Sequence, residues 1–201
     1  MKLFAKPDFS VLGYIGLGNV ARASLTVFLE LYPGRDMTIK LKKYKNQHEL
    51  FDERFAAYKN VHFEYCDTYE ETIKGSDIVV QAATYLGDDI CDFDCIDEGT
   101  LVVPIHTRGF TQCDIYFDKI YADDTGHVEG FRNFKKYEHF AEVSDVVNGR
   151  ALGRENNKER IMAYNIGIAL HDIYFASKVY EAVGDNCPCM SLNLPTEKFW
   201  V

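Results

Sequence analysis

The sequence predicts an α/β fold, a doubly wound parallel sheet followed by a long C-terminal helix. Three observations carry that prediction. A short apolar run, Val11 to Ile15, leads straight into Gly16-Leu17-Gly18-Asn19-Val20-Ala21, a G-x-G-x-x-A placed where a strand turns into a helix. Strand-like and helix-like segments then alternate as far as Ala122, and such alternation gives right-handed crossovers and a parallel sheet. The runs beginning at Ile78 and Leu101 are continuously apolar, as strands buried on both faces are.

Composition sets the outer limits. A chain of 201 residues, 47% of them hydrophobic, can core one domain with at most a small appendage. A formal net charge of −9 argues against a broad nucleic-acid surface and leaves room only for a local basic pocket. No apolar run reaches the ~20 residues of a membrane span. Met1 to Asp8 does not read as a signal peptide, so a cytoplasmic protein is expected. The six cysteines are scattered, which makes reduced thiols the expectation. Cys91-x-x-x-Cys95 and Cys187-Pro-Cys189 lack zinc-ribbon spacing, so no metal site is expected.

Each element can be justified in turn. The helix after the glycines runs from Asn19 to Leu31, with Val20, Ala23, Leu25, Val27, Phe28 and Leu31 as its apolar face, and Tyr32-Pro33-Gly34 ends it. Met37 to Leu41 reads as the second strand. A helix from Gln47 to Tyr58 follows, with Leu50, Phe51, Phe55 and Ala56 inward. Val61 to Tyr65 alternates apolar and polar residues, as a half-buried strand does. Thr68 to Lys74 is a short helix closed by Gly75. Asp77 to Thr84, Leu101 to Ile105 and Asp118 to Ala122 are further strands. Ala141 to Gly149 reads as a short helix. Lys158 to Val183 reads as one long, largely buried helix, with Asn156 or Asn157 as its cap and Gly184 as its stop. The aromatic tail, Leu192 to Val201, is expected to dock on a surface. Domain limits of 1–140 and 141–201 follow.

The glycine motif now lies on the first βα turn of a doubly wound sheet, the NAD(P)-binding Rossmann arrangement. Gly16 permits the tight turn, Gly18 lets the backbone approach a pyrophosphate, and Ala21 lets the helix pack close to the strand. Free N–H groups at the helix start face the anion. The end of the second strand selects the dinucleotide. An NAD site places an acid there for the ribose 2′-OH. Here Lys42-Lys43-Tyr44-Lys45 offers ammonium groups instead, which favours NADP, unless the lysines form an ordinary solvated loop.

Six pieces in order carry a resemblance: YIGLGNVARASL, GSDIVVQAATY, GTLVVPIHTRGF, DKIYADDTGHVEG, AEVSDVVNGRALGR and ERIMAYNIGIALHDIYFASKVYEAV. Together the chain resembles the ornithine cyclodeaminase/μ-crystallin family. The resemblance implies an NAD(P)-dependent enzyme acting on a small amino acid. In the family reaction NAD(P)+ takes a hydride from the α-carbon, the side-chain amine attacks the resulting imine, ammonia leaves and the hydride returns. For L-ornithine the product is L-proline. The resemblance also places residues. Gly16, Leu17, Gly18, Asn19 and Val20 meet the pyrophosphate, and Lys43, beside Lys42, takes the position of the ribose-binding acid. Thr84, beside Ala83, is a cofactor contact. Ile105, His106, Thr107 and Arg108 form the loop under the nicotinamide. Asn165 is a cofactor contact and Ile166 lies on the substrate side.

Two departures matter. Ornithine cyclodeaminases proper carry an aspartate in the loop after the fifth strand, and Ile105-His106-Thr107-Arg108-Gly109-Phe110 has no carboxylate. His106 can act as a general acid/base and Arg108 can hold a substrate carboxylate; a structural histidine and a surface arginine are the alternatives. Asp123, Asp124 and His127 match a structural turn of the family. The second departure is position. Only 15 residues precede Gly16, where family members carry a long substrate-binding and dimer-forming portion. A homo-oligomer, or a second chain supplying that portion, is therefore expected. Two rival functions stay open: an NAD(P)H-dependent amino-acid dehydrogenase or ketimine reductase, and a non-catalytic NADP(H)-binding module.

Overall fold

The computed structural model describes residues 2–87, 89–186, 188 and 190. The expected docking of the tail from Leu192 to Val201 lies outside the described residues, as do Cys187 and Cys189. The chain forms two compact units, Met1–Gly167 and Ile168–Val201, and the whole sheet belongs to the first.

The opening half follows the apolar pattern: β1 (Val11–Ile15), α1 (Asn19–Leu31), β2 (Met37–Lys42), α2 (Gln47–Phe55), β3 (Val61–Cys66), α3 (Tyr69–Ile73), β4 (Ile78–Gln81) and β5 (Leu101–Pro104). Thereafter come β6 (Lys119–Ala122), α4 (Thr125–Val128), β7 (Phe140–Glu142), α5 (Val143–Val147), β8 (Ile161–Tyr164) and α6 (Ala169–Val183). The eight strands form one sheet in the order β3-β2-β1-β4-β5-β8-β6-β7, and every pairing is parallel. The order reverses between β1 and β4, which is the switch point of a doubly wound sheet.

Successive residues of the central strands feed opposite cores. Ile78, Val80, Leu101, Val103, Ile161 and Ala163 join Leu12, Tyr14, Leu25, Phe28 and Phe51 on one face. Val79, Val102, Met162 and Tyr164 join Ile15, Phe110 and Ile120 on the other. Burial at every position explains why these strands carry no polar alternation. Burial also raises the thiols of Cys66 and Cys91, the latter to about 12, so they remain protonated and unreactive.

The structure corrects several local readings. Lys158–Val183 is not one helix: Ile161–Tyr164 is β8, and the helix starts only at Ala169, after Gly167 at φ +94°. A strand buried on both faces and a buried helix turn look alike over four apolar residues. Asn156 caps a turn rather than a helix, its side-chain oxygen accepting from the Lys158 and Glu159 amides at 2.9 and 3.2 Å. Phe140–Glu142, at the head of the expected short helix, is the edge strand β7. On α1 the buried stripe is Ala21, Leu25, Phe28 and Leu29, while Val20, Val27 and Leu31 are exposed. On α2, Phe51 and Phe55 are buried, but Leu50 faces solvent. Within the second unit α6 buries none of its side chains.

Asp77 ties the amino end of the sheet together. Its carboxylate accepts from the Ser10 and Val11 amides at 2.8 and 3.0 Å and pairs with Lys6 at 2.7 Å. Burial pushes this carboxyl up, but the Lys6 ammonium and the two amides outweigh it and hold it below its ordinary range. The stabilisation is therefore complete above the unfolded pKa of about 3.9 and is lost as pH falls through the lower folded value. Asp77→Ala should cost about 2–3 kcal/mol near neutral pH, a deficit that shrinks below about pH 4 in urea unfolding. A deficit that stays constant with acidification would contradict this account.

Candidate functional site

The loops that leave the sheet at its carboxyl end start from one hydrogen-bonded row. Ala82 N–H donates to Ile15 C=O at 2.7 Å, Ile105 to Gln81 at 2.8 Å, Asn165 to Pro104 at 2.9 Å and Asp123 to Tyr164 at 3.1 Å. Each bond links the residue after one strand to the end of its neighbour. The row brings four segments to one edge: the glycine turn, Ala82–Leu86, Ile105–Arg108 and Asn165–Gly167.

At the switch point Gly16 has φ +82°, and a Cβ there would come within 2.4 Å of the Ala83 nitrogen. Only glycine fits. A Cβ on Gly18 would meet nothing within 4 Å, so that position opens onto free space. Gly18 is also the N-cap of α1; it supplies no side-chain cap, and the first turn carries no acid. The first N–H groups of α1 are thus available to an anion. Beside them lies a cleft of about 320 Å³, lined by Gly16, Leu17, Gly18, Lys42, Lys43, Ala83 and Thr84 among the expected residues. Tyr44, Gln47, Tyr69 and Tyr85 line it as well. Sequence reasoning missed these four, although Gln47 and Tyr69 open the helices that follow β2 and β3. A dinucleotide fits these residues: the glycine cradle accepts a diphosphate, and Lys42 and Lys43 stand at the β2 end where the ribose belongs.

One expectation at the β2 end needs correction. The residues after β2 carry no acid, but Asp67, at the end of β3, brings a carboxylate to 2.9 Å from Lys43 Nζ. The Lys43 ammonium holds that carboxyl below its usual range. Both groups are exposed, so the pair is weak and screened. Lys42 Nζ donates to the Lys43 carbonyl at 3.0 Å and lies 5.2 Å from the Tyr69 ring.

The loop after β5 is pinned from beneath. Asp89 accepts from the Gln112 and Cys113 amides at 2.9 and 3.1 Å, and Ile90 N–H donates to Gly109 C=O at 3.0 Å. Gly109, at φ +108°, rests against the Leu86 and Gln81 side chains. Gln81 is fully buried; its Nε2 donates to Ala83 C=O at 3.0 Å, while its Oε1 accepts from no donor among the described residues. His106 is half-buried and Arg108 exposed, and neither has a partner among the described residues. Asn165 follows β8 with its side-chain amide turned to the Ala163 carbonyl at 2.8 Å, and Ile166 is half-buried against the second core. Asp123 accepts from Gly167 N–H and lies 3.5 Å from His127 Nδ1. The sheet edge gathers all these segments, whereas Ile105, His106, Thr107, Arg108, Asn165 and Ile166 lie outside the cleft lining.

A larger groove, about 770 Å³, runs along β6 and β7 near their amino ends. There Lys119 is already paired with Glu155 and Glu159, at 2.6 and 3.0 Å. Doubly wound sheets bind ligands at the carboxyl ends of their strands, so the smaller cleft is the candidate. Among the described residues no three His, Cys, Asp or Glu side chains form a metal-binding group, and no helix is long and apolar enough to cross a membrane.

Fold and cleft together define a doubly wound α/β protein with a glycine turn at its switch point. The chain belongs to the ornithine cyclodeaminase/mu-crystallin family, whose sequence profile matches residues 1–186. It is 32% identical over 122 residues to the nodulation efficiency protein NfeD of Rhizobium meliloti, covering 56% of this chain and 37% of that protein. It is 22% identical over 211 residues to the N-((2S)-2-amino-2-carboxyethyl)-L-glutamate dehydrogenase of Staphylococcus aureus, covering 96% and 61%. The solved structure of Thermococcus litoralis Δ(1)-pyrroline-2-carboxylate reductase, in complex with NADH and L-proline, superposes with a TM-score of 0.77 at 21% identity. That match covers 92% of this chain and 61% of the reductase, and it shows a shared fold. The chain thus spans about a third to three fifths of the length of these relatives.

The two glycines separate structure from binding. Gly16→Ala should lower stability by about 2–3 kcal/mol through its left-handed backbone and the contact with Ala83. Gly18→Ala should stay within about 1 kcal/mol of the parent yet weaken nucleotide binding, because its methyl enters the open cradle. Thermal unfolding and dinucleotide titration of both variants check this. Equal stability loss in the two would overturn it.

Proposed function

We propose that the chain is the nucleotide-binding portion of an NAD(P)-dependent enzyme of the ornithine cyclodeaminase type, acting on a small amino acid. The observation that supports this most is the uncapped α1 start beside Gly18, open space facing an anion site at the switch point of the sheet. When bound, the nicotinamide cofactor supplies hydride transfer at the substrate α-carbon. The protein's part is to hold and orient. The glycine turn and the α1 amides would hold the diphosphate, Lys42 and Lys43 the adenosine ribose, and Ile105 and Thr107 would contact the nicotinamide end. In this reading Arg108 grips a substrate carboxylate through a bidentate pair, and His106 moves a proton at the reacting carbon or nitrogen.

The loop after β5 favours a second reading, net NAD(P)H-dependent reduction of a cyclic imine or keto acid. That reaction needs a proton donor, which His106 supplies, and no carboxylate to hold a side-chain amine. The reduced-cofactor absorbance band separates the two. Cyclodeamination releases ammonia and leaves absorbance unchanged, because the hydride returns; reduction consumes NAD(P)H stoichiometrically. His106→Gln should slow either reaction about 100-fold or more without altering cofactor affinity. Unchanged turnover would remove His106 from the chemistry. Binding of NAD(P)H without turnover of any amino acid or imine would leave a cofactor-holding module.

The ammonium groups of Lys42 and Lys43 favour NADP over NAD, because the exposed Asp67 competes weakly with a 2′-phosphate for Lys43. Replacing both lysines by alanine should lower NADPH affinity about tenfold or more while sparing NADH; equal effects on both cofactors would refute the preference. The apolar residues around the girth of α6 support an oligomer or a complex with a second chain, since a helix apolar on all sides calls for a covering surface. A monomer at micromolar concentration by light scattering, with or without candidate partner chains, would count against it.

A further inference from the structure

Arg22 has no role in the site as described, and its surroundings are unfavourable to it. It lies in the first turn of α1, at the positive end of the helix dipole, where a cation is disfavoured. Its Nε is shielded from water and has no hydrogen-bond partner among the described residues. No carboxylate, carbonyl or ring among the described residues engages the guanidinium. Three other arginines of the sheet unit are satisfied, whereas the exposed Arg54, Arg108 and Arg132 need no internal partner. Arg35 donates to the carbonyls of Pro7 and Phe9, Arg154 to those of Phe4, Gly99, Asn156 and Glu159, and Arg160 to that of Ile96.

Three costs thus fall on one residue: a cation on a positive dipole end, a buried donor without an acceptor, and a charge without a counter-charge. A local rule broken with no gain in the free fold is the mark of a functional position. One anion at the start of α1 removes all three. The direction agrees. A long side chain on a helix leans back over the preceding turn, and for Arg22 that turn is Gly18–Asn19, where the space at Gly18 is open. A guanidinium also matches phosphate oxygens in a bidentate fork.

We infer that Arg22 is the side-chain half of a phosphate subsite: its guanidinium donates to the diphosphate bridge of the bound dinucleotide, beside the free amides of α1. This subsite is separate from the Lys42–Lys43 rim, which faces the adenosine ribose. The inference rests on the dinucleotide reading, and the experiment tells their failures apart.

The intact chain is titrated with ADP-ribose, NADH and NADPH, and thermal unfolding is followed with and without inorganic pyrophosphate. Arg22→Met keeps the apolar stem of the side chain and removes the charge. It should weaken all three nucleotides alike, by about ten- to a hundredfold. It should abolish the rise in Tm that pyrophosphate gives the parent, and leave the ligand-free Tm unchanged or higher. Arg22→Lys should recover part of the affinity. A parent that binds none of the nucleotides overturns the dinucleotide reading itself. A parent that binds them, with R22M binding equally well, overturns the role of Arg22 alone. A loss confined to NADPH assigns the guanidinium to the 2′-phosphate and overturns the diphosphate assignment. Should R22M fail to fold, R22K decides: severalfold weaker binding of all three nucleotides at an unchanged Tm supports the subsite, and unchanged binding overturns it.

Discussion

The constraint on which the cleft depends is the approach of Gly16 to the Ala82–Ala83 peptide. The two backbones come so near that a single methyl group would overlap the Ala83 nitrogen. The contact lets β1 end in a tight turn while Ala82 N–H still bonds to Ile15 C=O. α1 therefore begins directly over the gap between β1 and β4. Everything proposed for the cleft follows from that placement: an uncapped helix start, an open position at Gly18, and lysines from β2 on the flank. Moving the turn outward to admit a side chain would also move the N–H groups that give the site its charge.

The same row of backbone bonds couples fold to function beyond the cleft. The links Ile15–Ala82, Gln81–Ile105, Pro104–Asn165 and Tyr164–Asp123 bring loops distant in sequence to one edge. β8 is the key insertion, since it seats Asn165 and Ile166 next to the loop of His106 and Arg108. A sheet built from β1 to β6 alone would leave that loop without this neighbour. Asp89, in the segment after β4, pins the far end of the same loop through the Gln112 and Cys113 amides, so the loop is held by contacts from outside its own sequence.

Much of this was legible in the residues. G-x-G-x-x-A after an apolar run located the turn, and α1 follows its expected limits, because local chemistry decides both. β8 was hidden for a physical reason: Ile161-Met162-Ala163-Tyr164 is apolar throughout, and burial on two faces erases the period that separates strand from helix. β7 was hidden because three residues are too few to show a period. The Lys43–Asp67 pair was invisible for another reason, since its partners come from the ends of different strands and meet only through the β2–β3 pairing.

The two ends of the sheet differ in how their charges are spent. At the amino end, Lys6 is paired with Asp77, Lys119 with Glu155 and Glu159, and Arg154 is saturated by carbonyls. These cations hold the fold together and have little left for a ligand. At the carboxyl end, Arg22 and Arg108 have no partners among the described residues, Lys43 has only an exposed one, and the α1 amides add partial positive charge. The chain carries a net charge of −9, so this end is a local exception to its overall field. An anionic dinucleotide and an amino-acid carboxylate are the two ligands that such an edge would separate. In the proposed function the amides, the lysines and Arg22 take the first, and Arg108, on the far side of β4, takes the second.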